Sequence, residues 1–297
     1  MATIDRRTFV RSTAGLSAAW VVTHSMNAST CVAESGRSGR GAKMRFGLVT
    51  YMWGYDWDLP TLLRNCEKAR ALGVELRTEH AHGVEPEIST AKRQEVKKRF
   101  ADSSITLVGL GSNQSFHHID PQTLNASIAR AKKFIELSHD VGGSGVKVKP
   151  NDLPKEISQA KTIEQIGKAL NELGAYADGF GQQVRLEVHG QCAPLPIIAS
   201  IMQVADHRNV AVCWNSNPQD LQGAGLEHNF RLVEKRLGAT THVRQLDGSQ
   251  YPNAKLFELL KGAHYDGWLL IEASDKPPDR VAALAGQREA FEKLVGA

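Results

Sequence analysis

Eight short runs of apolar and β-branched residues recur along the chain after position 44, and they give the first indication of the fold. Successive runs start roughly 25 to 40 residues apart, which is the spacing expected of βα units. Runs of this kind, without regular polar alternation, are typical of strands that are buried on both faces of a sheet. The predicted strands cover residues 45–50, 74–77, 105–110, 145–149, 184–188, 210–214, 241–245 and 268–271.

A helical pattern follows each predicted strand. Asp58 is placed to cap a first helix that carries Pro60 in its first turn and that Gly73 ends. Eight alternating units predict an α/β fold, a single-domain (β/α)₈ TIM barrel over residues 44–297, with an open doubly wound sheet as the alternative. The segment 51–55 after the first strand is mostly aromatic and contains no glycine-rich phosphate-binding turn. The further predicted helices cover residues 89–101, 120–139, 162–177, 196–204, 227–237, 254–261 and 280–295.

The N-terminal segment carries a pattern of its own. Residues 5–11, which begin Asp5-Arg6-Arg7, closely match a twin-arginine export signal, and a short stretch of small and apolar residues covers 14–22. That stretch is too short and too polar to span a membrane. We therefore expect a signal peptide over residues 1–33, with Ala28 or Ala33 as the last residue removed, and a linker over 34–43. A disordered basic tail is the alternative. The signal predicts a periplasmic or secreted protein.

The charge of the chain lies in this leader. The formal net charge is +4, and residues 1–43 carry six basic and two acidic side chains. The predicted barrel is therefore nearly neutral, which argues against nucleic acid as a partner. Of the four cysteines, Cys66, Cys192 and Cys213 fall in the barrel at scattered positions, so buried free thiols are expected rather than a disulfide framework.

The last four predicted strands each end in a metal-capable side chain. Glu187, Asn215, His242 and Glu272 follow strands five to eight in order, and in a closed barrel the carboxyl ends of the strands meet at one mouth. Two carboxylates, an imidazole and an amide oxygen suit one divalent ion, Mn²⁺, Mg²⁺, Co²⁺ or Zn²⁺. Glu187 and Glu272 are also candidate catalytic groups, because a carboxylate can move the proton beside a carbonyl. Structural carboxylates paired with neighbours are the alternative.

Other polar and aromatic residues near the same mouth are candidates for substrate binding. A lysine there can hold a sugar hydroxyl or neutralise an enolate, and aromatic faces suit a sugar ring. Surface ion pairs, polar loops and a hydrophobic plug are the alternatives for these residues. No arginine-rich phosphate clamp is evident. The substrate-binding candidates are His189, Lys147, Glu75, His80, Asp247 and Trp53, and Arg77 and Lys149 are further residues at the rim.

Several of these segments together resemble the xylose isomerase-like TIM-barrel superfamily, the sugar phosphate isomerase/epimerase group. The resemblance covers residues 44–297 and rests on the segments 73–77 and 186–190, the end of the sixth strand, His242 and Glu272. It implies one divalent metal held by Glu187, Asn215, His242 and Glu272. The family usually has Asp, followed three residues later by His, at the sixth strand. This chain has Asn215 and Pro218 there, so we expect weaker metal binding or a changed metal preference.

These observations predict an exported enzyme that isomerises or epimerises an unphosphorylated sugar or polyol by metal-assisted proton transfer next to a carbonyl. A keto-sugar lyase or hydratase would use the same residues. Two further alternatives are a non-catalytic carbohydrate-binding barrel with a decayed metal site and an AP-endonuclease-like phosphodiesterase. The expected partner is a small carbohydrate, with no nucleic acid and no membrane insertion after signal removal. The sequence is also compatible with a homo-oligomer.

Overall fold

A computed structural model describes residues 43–296 of the chain. The predicted signal peptide and all of the predicted linker except Lys43 lie outside the described residues. Within residues 43–296, no helix is long and apolar enough to cross a membrane.

Eight strands form one parallel sheet that curls into a barrel, as predicted. Neighbouring strands pair in the order β6-β5-β4-β3-β2-β1-β8-β7. Isolated bridges between Val212 and Leu237 and between Asn215 and His242 join the two ends of this order. The strands are β1 (Arg45–Val49), β2 (Gly73–Arg77), β3 (Thr106–Ser115), β4 (Gly145–Lys149), β5 (Gln183–Glu187), β6 (Val210–Cys213), β7 (Thr240–Val243) and β8 (Trp268–Ile271).

A helix follows every strand, which completes the (β/α)₈ pattern. The side chain of Asp58 accepts a hydrogen bond from the Thr61 backbone N–H and caps the first helix, as predicted. The helices are α1 (Leu59–Lys68), α2 (Thr90–Ala101), α3 (Pro121–Asp140), α4 (Gln159–Asp178), α5 (Leu195–Val204), α6 (Gly225–Val233), α7 (Asn253–Gly262) and α8 (Arg280–Val295).

The first helix ends earlier than predicted. It stops at Lys68, and Arg70 takes a left-handed conformation with φ 55°, which turns the chain toward the sheet. Gly73, the predicted helix stop, instead begins β2, where a Cβ would lie 2.3 Å from the Trp268 ring. This glycine is needed for close packing inside the barrel rather than for ending the helix.

Two apolar regions build the core. The larger lies between the outer faces of the strands and the surrounding helices. The smaller consists of Val49, Val108, Trp268 and Leu270. The barrel interior also holds the buried, charged side chain of Arg185, which donates hydrogen bonds to the carbonyl oxygen of Val108 and the hydroxyl of Ser144. The barrel therefore combines an apolar cluster with buried charged groups.

Glycines on β3 make room for these charged groups. A Cβ at Gly109 would lie 2.8 Å from Nη1 of Arg185, and a Cβ at Gly111 would lie 2.9 Å from Oε1 of Glu75 and 3.5 Å from Cε of Lys147. The three barrel cysteines, Cys66, Cys192 and Cys213, are buried free thiols, as predicted.

Candidate active site

The site is built from two layers of side chains at the carboxyl ends of the strands. Side chains two positions apart on a strand point to the same face, so each polar strand end brings a second residue to the mouth. We call the deeper set the inner ring: Glu75, Lys147, Glu187, Asn215, His242 and Glu272. We call the set two positions further along each strand, together with Tyr51 after β1, the outer ring: Tyr51, Arg77, Lys149, His189, Asn217, Arg244 and Ser274.

The outer ring lines a cavity of about 210 Å³, which also reaches Glu187, Asn215 and Glu272 of the inner ring. This volume is below the range of about 300–1,000 Å³ that is typical for drug-sized ligands, so the cavity suits a small molecule. A larger cavity of about 720 Å³ adjoins it and shares Arg244 and Ser274.

Four inner-ring side chains converge on one point. Nδ1 of His242 lies 3.4 Å from Oε1 of Glu187 and 3.7 Å from Oε2 of Glu272. The amide nitrogen of Asn215 donates hydrogen bonds of 3.0 Å to both of these carboxylate oxygens. The backbone helps to bring them together, because Asn215 and His242 form the bridge that joins β6 to β7.

Glu75 lies behind His242. Nε2 of His242 is 3.2 Å from Oε1 of Glu75, and both side chains are fully buried. Burial lowers the pKa of His242, but the surrounding negative groups, Glu75 and Glu272 among them, outweigh this effect and raise that pKa well above its usual value, so the ring is protonated near pH 7. A cation would have to displace the proton on Nδ1 to bind there. A carboxylate in this position is the usual partner of a metal-binding histidine, because it fixes the tautomer and orientation of the ring.

Lys147 lies on the other side of Glu187. Its Nζ is 2.9 Å from Oε2 of Glu187, and each of these side chains is 1% exposed. Burial by itself raises the pKa of Glu187, but Lys147 and His242 together outweigh this effect and hold that pKa well below its usual value. Burial lowers the pKa of Lys147, but Glu187, Glu75 and Glu272 together outweigh burial, so that the pKa of Lys147 is raised. Both groups therefore stay charged as an ion pair.

The distances between the candidate ligand atoms are compatible with binding of one divalent cation. The ligand atoms of Glu187, His242 and Glu272 all lie within 4.8 Å of one another. Donors bound to one ion at about 2.0–2.2 Å would lie closer together than this limit. Asn215 presents its amide nitrogen, which cannot ligate, so its amide group would have to rotate to turn the oxygen inward. The net negative charge of the cluster is smaller than its two carboxylates suggest, because Lys147 already compensates the charge of Glu187. We therefore expect the cluster to bind a cation less tightly.

The remaining predicted substrate-binding residues fall in three places. His189 lines the small cavity, and its Nδ1 is 2.9 Å from Oδ1 of Asn151. Trp53 and Asp247 line the larger cavity, where Trp53 Nε1 donates to Asp275 and Gln287 Nε2 donates to Asp247. Glu75 and Lys147 are buried and do not line the small cavity; Glu75 lies against His242, and Lys147 lies against Glu187.

His80 also lies away from the cavity. Its Nε2 is 3.3 Å from Nη1 of Arg77, and its Nδ1 is 3.2 Å from the hydroxyl of Thr50. Burial lowers the pKa of His80 to about 4, so the ring is neutral near pH 7. His80 lies against Arg77, and the expectation that it contacts substrate stays a prediction.

The prediction from sequence missed Arg244 entirely and left Arg77 and Lys149 as unassigned rim residues. All three line the small cavity. The signal was present in the sequence, because each lies two positions after an inner-ring residue and so faces the same side of its strand.

Comparisons with known proteins agree with this architecture. The family model of the xylose isomerase-like TIM barrel matches residues 63–294, and the chain belongs to this family. No curated protein matches the chain.

Several solved structures share the fold at low sequence identity. The apo form of 3-keto-D-glucoside 4-epimerase, YcjR, from E. coli is 15% identical with a TM-score of 0.71, over 86% of this chain and 100% of that one. D-psicose 3-epimerase, in the presence of D-fructose, is also 15% identical with a TM-score of 0.72, over 86% and 100%. IOLI protein with a binding zinc atom is 17% identical with a TM-score of 0.70, over 85% and 98%.

Proposed function

We propose that this protein is a divalent-metal-dependent isomerase or epimerase that acts on a small sugar or polyol by proton transfer next to a carbonyl. The observation that carries the proposal is the convergence of Glu187, His242 and Glu272 beneath a small polar cavity at the barrel mouth. The family and the sugar epimerases of similar fold support the same class of reaction.

Glu187, His242 and Glu272 would hold the cation, with the Asn215 oxygen as a fourth ligand after rotation of its amide. A cation bound there supplies a positive charge that polarises a substrate carbonyl. Glu75 lies against the ring of His242, and Lys147 lies against the carboxylate of Glu187, so both would restrict the positions of these two side chains.

Glu272 is the better placed of the two candidate bases. Its side chain is 16% exposed and reaches the cavity, whereas both oxygens of Glu187 are in contact with protein groups. The Glu272 carboxylate takes the proton from the carbon beside the substrate carbonyl. The C–H electron pair becomes the new carbon–carbon double bond, and the carbonyl π pair moves to the oxygen, giving an enediolate. Return of a proton to the other face of that carbon is epimerisation, and return to the neighbouring carbon is isomerisation. Glu187 mainly orients the cluster.

The test is hydrogen exchange between substrate and solvent. Protein loaded in turn with Mg²⁺, Mn²⁺, Co²⁺ and Zn²⁺ is incubated in D₂O with a panel of aldoses, ketoses and keto-sugars, and deuterium at carbon is read by NMR after chelation. We expect one carbon to exchange, and we expect Glu272→Gln to abolish the exchange. Glu258→Gln, an exposed change on α7, is the matched control. Normal exchange by Glu272→Gln would show that the base is misassigned.

A second candidate is a carbohydrate-binding barrel without catalysis, and Lys147 and Asn215 favour it. Both reduce the negative charge that a metal site needs. Metal analysis of the purified protein separates the two functions, since about one bound divalent ion per chain supports the enzyme. No binding of any of the four ions would support the non-catalytic barrel.

Export is part of the proposal. The supporting feature is the twin-arginine pattern at residues 5–11, and this route carries folded proteins, so that a cofactor can be bound before export. Replacing Arg6 and Arg7 together by lysine should retain the protein in the cytoplasm, as measured by cell fractionation. Unchanged export of that double variant would contradict this part of the proposal.

A further inference from the structure

The outer ring carries three cationic side chains, Arg77, Lys149 and Arg244, and all three line the small cavity. Each is held by neutral acceptors. Arg77 contacts Nε2 of His80 at 3.3 Å and donates to Oδ1 of Asn113 at 3.4 Å. Arg244 donates from Nε to the carbonyl oxygen of Ser216 at 3.0 Å. These contacts position the side chains without neutralising their charge.

Arg77 and Lys149 converge on one atom. Nζ of Lys149 donates to Oδ1 of Asn113 at 3.2 Å, the same oxygen that accepts from Arg77. Glu79 accepts from the other end of the same amide, Nδ2 of Asn113, at 3.4 Å. Within residues 43–296, neither Arg77 nor Lys149 forms an ion pair with a carboxylate. Two unpaired cations around a neutral amide oxygen are a site for an anion.

The acidic groups of the site are already engaged by other partners. Glu187 is paired with Lys147, Glu75 faces His242, and Oε2 of Glu272 accepts from Asn215. Glu187 and Glu272 attract the Lys149 ammonium electrostatically, but among residues 43–296 none of the three outer-ring cations forms an ion pair with a carboxylate. A bound divalent cation would add positive charge at the mouth and would strengthen its attraction for an anionic ligand.

We infer that the substrate carries an anionic group, a carboxylate or a phosphate, that binds between Arg77 and Lys149 while its reacting carbon lies over the inner ring. The inference rests on the proposed function, because it names the substrate class of the same site. Burial, with the neighbouring Lys147, lowers the pKa of Lys149 to about 8, and a bound anion should raise that pKa.

The test uses matched sugars. D-glucose, D-galactose and D-mannose are compared with their uronates and their 6-phosphates, by calorimetric binding to the Mg²⁺-loaded full chain at low salt. We expect at least one anionic sugar to bind on the order of tenfold tighter than its neutral parent. Arg77→Gln and Lys149→Gln should each remove that advantage, so that the anionic sugar binds no more tightly than its neutral parent. Arg64→Gln, which removes an exposed charge on α1, should have no effect.

The outcomes separate the possibilities. Preference for the uronates identifies a sugar acid, preference for the 6-phosphates identifies a sugar phosphate, and either supports the inference. Equal affinity for neutral and anionic sugars, an anionic preference that survives both substitutions, or no binding by any sugar overturns it. If neutral sugars alone exchange a carbon-bound proton with solvent, the proposed function stands and the inference fails. If anionic sugars bind through Arg77 and Lys149 without exchange, the inference stands and the proposed function fails.

Discussion

Nζ of Lys147 lies 2.9 Å from Oε2 of Glu187, and both side chains are 1% exposed. This ion pair places an ammonium group directly beside a carboxylate that the family resemblance assigns to a metal. Removing one partner of a buried pair leaves an uncompensated charge, at a cost of about 3–5 kcal/mol.

Replacement of Lys147 by methionine should therefore destabilise the metal-free protein and increase its response to metal. Without Lys147 the Glu187 carboxylate is free to bind a cation, which then stabilises the folded state by mass action. We expect the increase in Tm on adding MnCl₂ to be larger for Lys147→Met than for the wild-type protein. Lys168→Met, which breaks an exposed ion pair on α4, is the control. An equal increase in Tm on adding MnCl₂ for Lys147→Met and for the wild-type protein would contradict this role of Lys147.

Asn215 offers a second way to change the charge of the cluster. Its amide nitrogen donates to Glu187 and Glu272 at 3.0 Å, so Asn215→Asp would replace two hydrogen bonds by repulsion between carboxylates. We expect the variant to have a lower Tm without metal and about tenfold tighter Mn²⁺ binding, measured by competition with a metal-indicator dye. Asn125→Asp adds the same charge on the exposed face of α3 and should leave Mn²⁺ affinity unchanged. Unaltered affinity in Asn215→Asp would mean that this position does not reach the ion.

The loop after β6 should make stability dependent on pH. Burial of the carboxyl raises the pKa of Asp220 to about 7, although Oδ2 accepts from the Asn217 backbone N–H and from the Tyr251 hydroxyl, each at 2.8 Å. Because the folded state holds this proton more tightly than the unfolded state, Asp220 contributes stability at low pH. That contribution is lost as pH rises from about 4 to about 7, to the extent of roughly 4 kcal/mol.

Asp220→Asn should keep the two accepted hydrogen bonds and remove this loss. We expect the variant to gain stability relative to wild type as pH rises, measured by urea unfolding at pH 4, 6 and 8. Asp206→Asn, a change of an exposed aspartate after α5, is the control. If the difference in unfolding free energy between Asp220→Asn and wild type stayed constant across this range, the raised pKa would be refuted.

Much of the architecture could be predicted from the sequence, because each βα unit leaves a local signal. The bounds of β4 and β8 agree with the prediction, and Asp58 caps α1 as expected. The end of α1 could not be predicted from the local sequence. Gly73 resembles a helix stop, yet its role is to let β2 approach Trp268, a residue distant in sequence.

The meeting of Glu187, His242 and Glu272 also followed from sequence, once a closed barrel was assumed, because strand ends in such a barrel share one mouth. The partners of these residues did not follow. Nothing local to Lys147 indicates that its ammonium lies against Glu187, or that Glu75 lies behind His242, since these contacts join β4 to β5 and β2 to β7.

The sequence by itself determined the barrel, the order of its polar strand ends and, through the period of two along a strand, the residues that share its mouth. The tertiary structure alone decided which charges neutralise one another and which remain free. Periodicity fixes the direction of a side chain, whereas electrostatic pairing depends on distances across the barrel. Those distances leave Lys147 paired with Glu187, and Arg77 and Lys149 without a carboxylate.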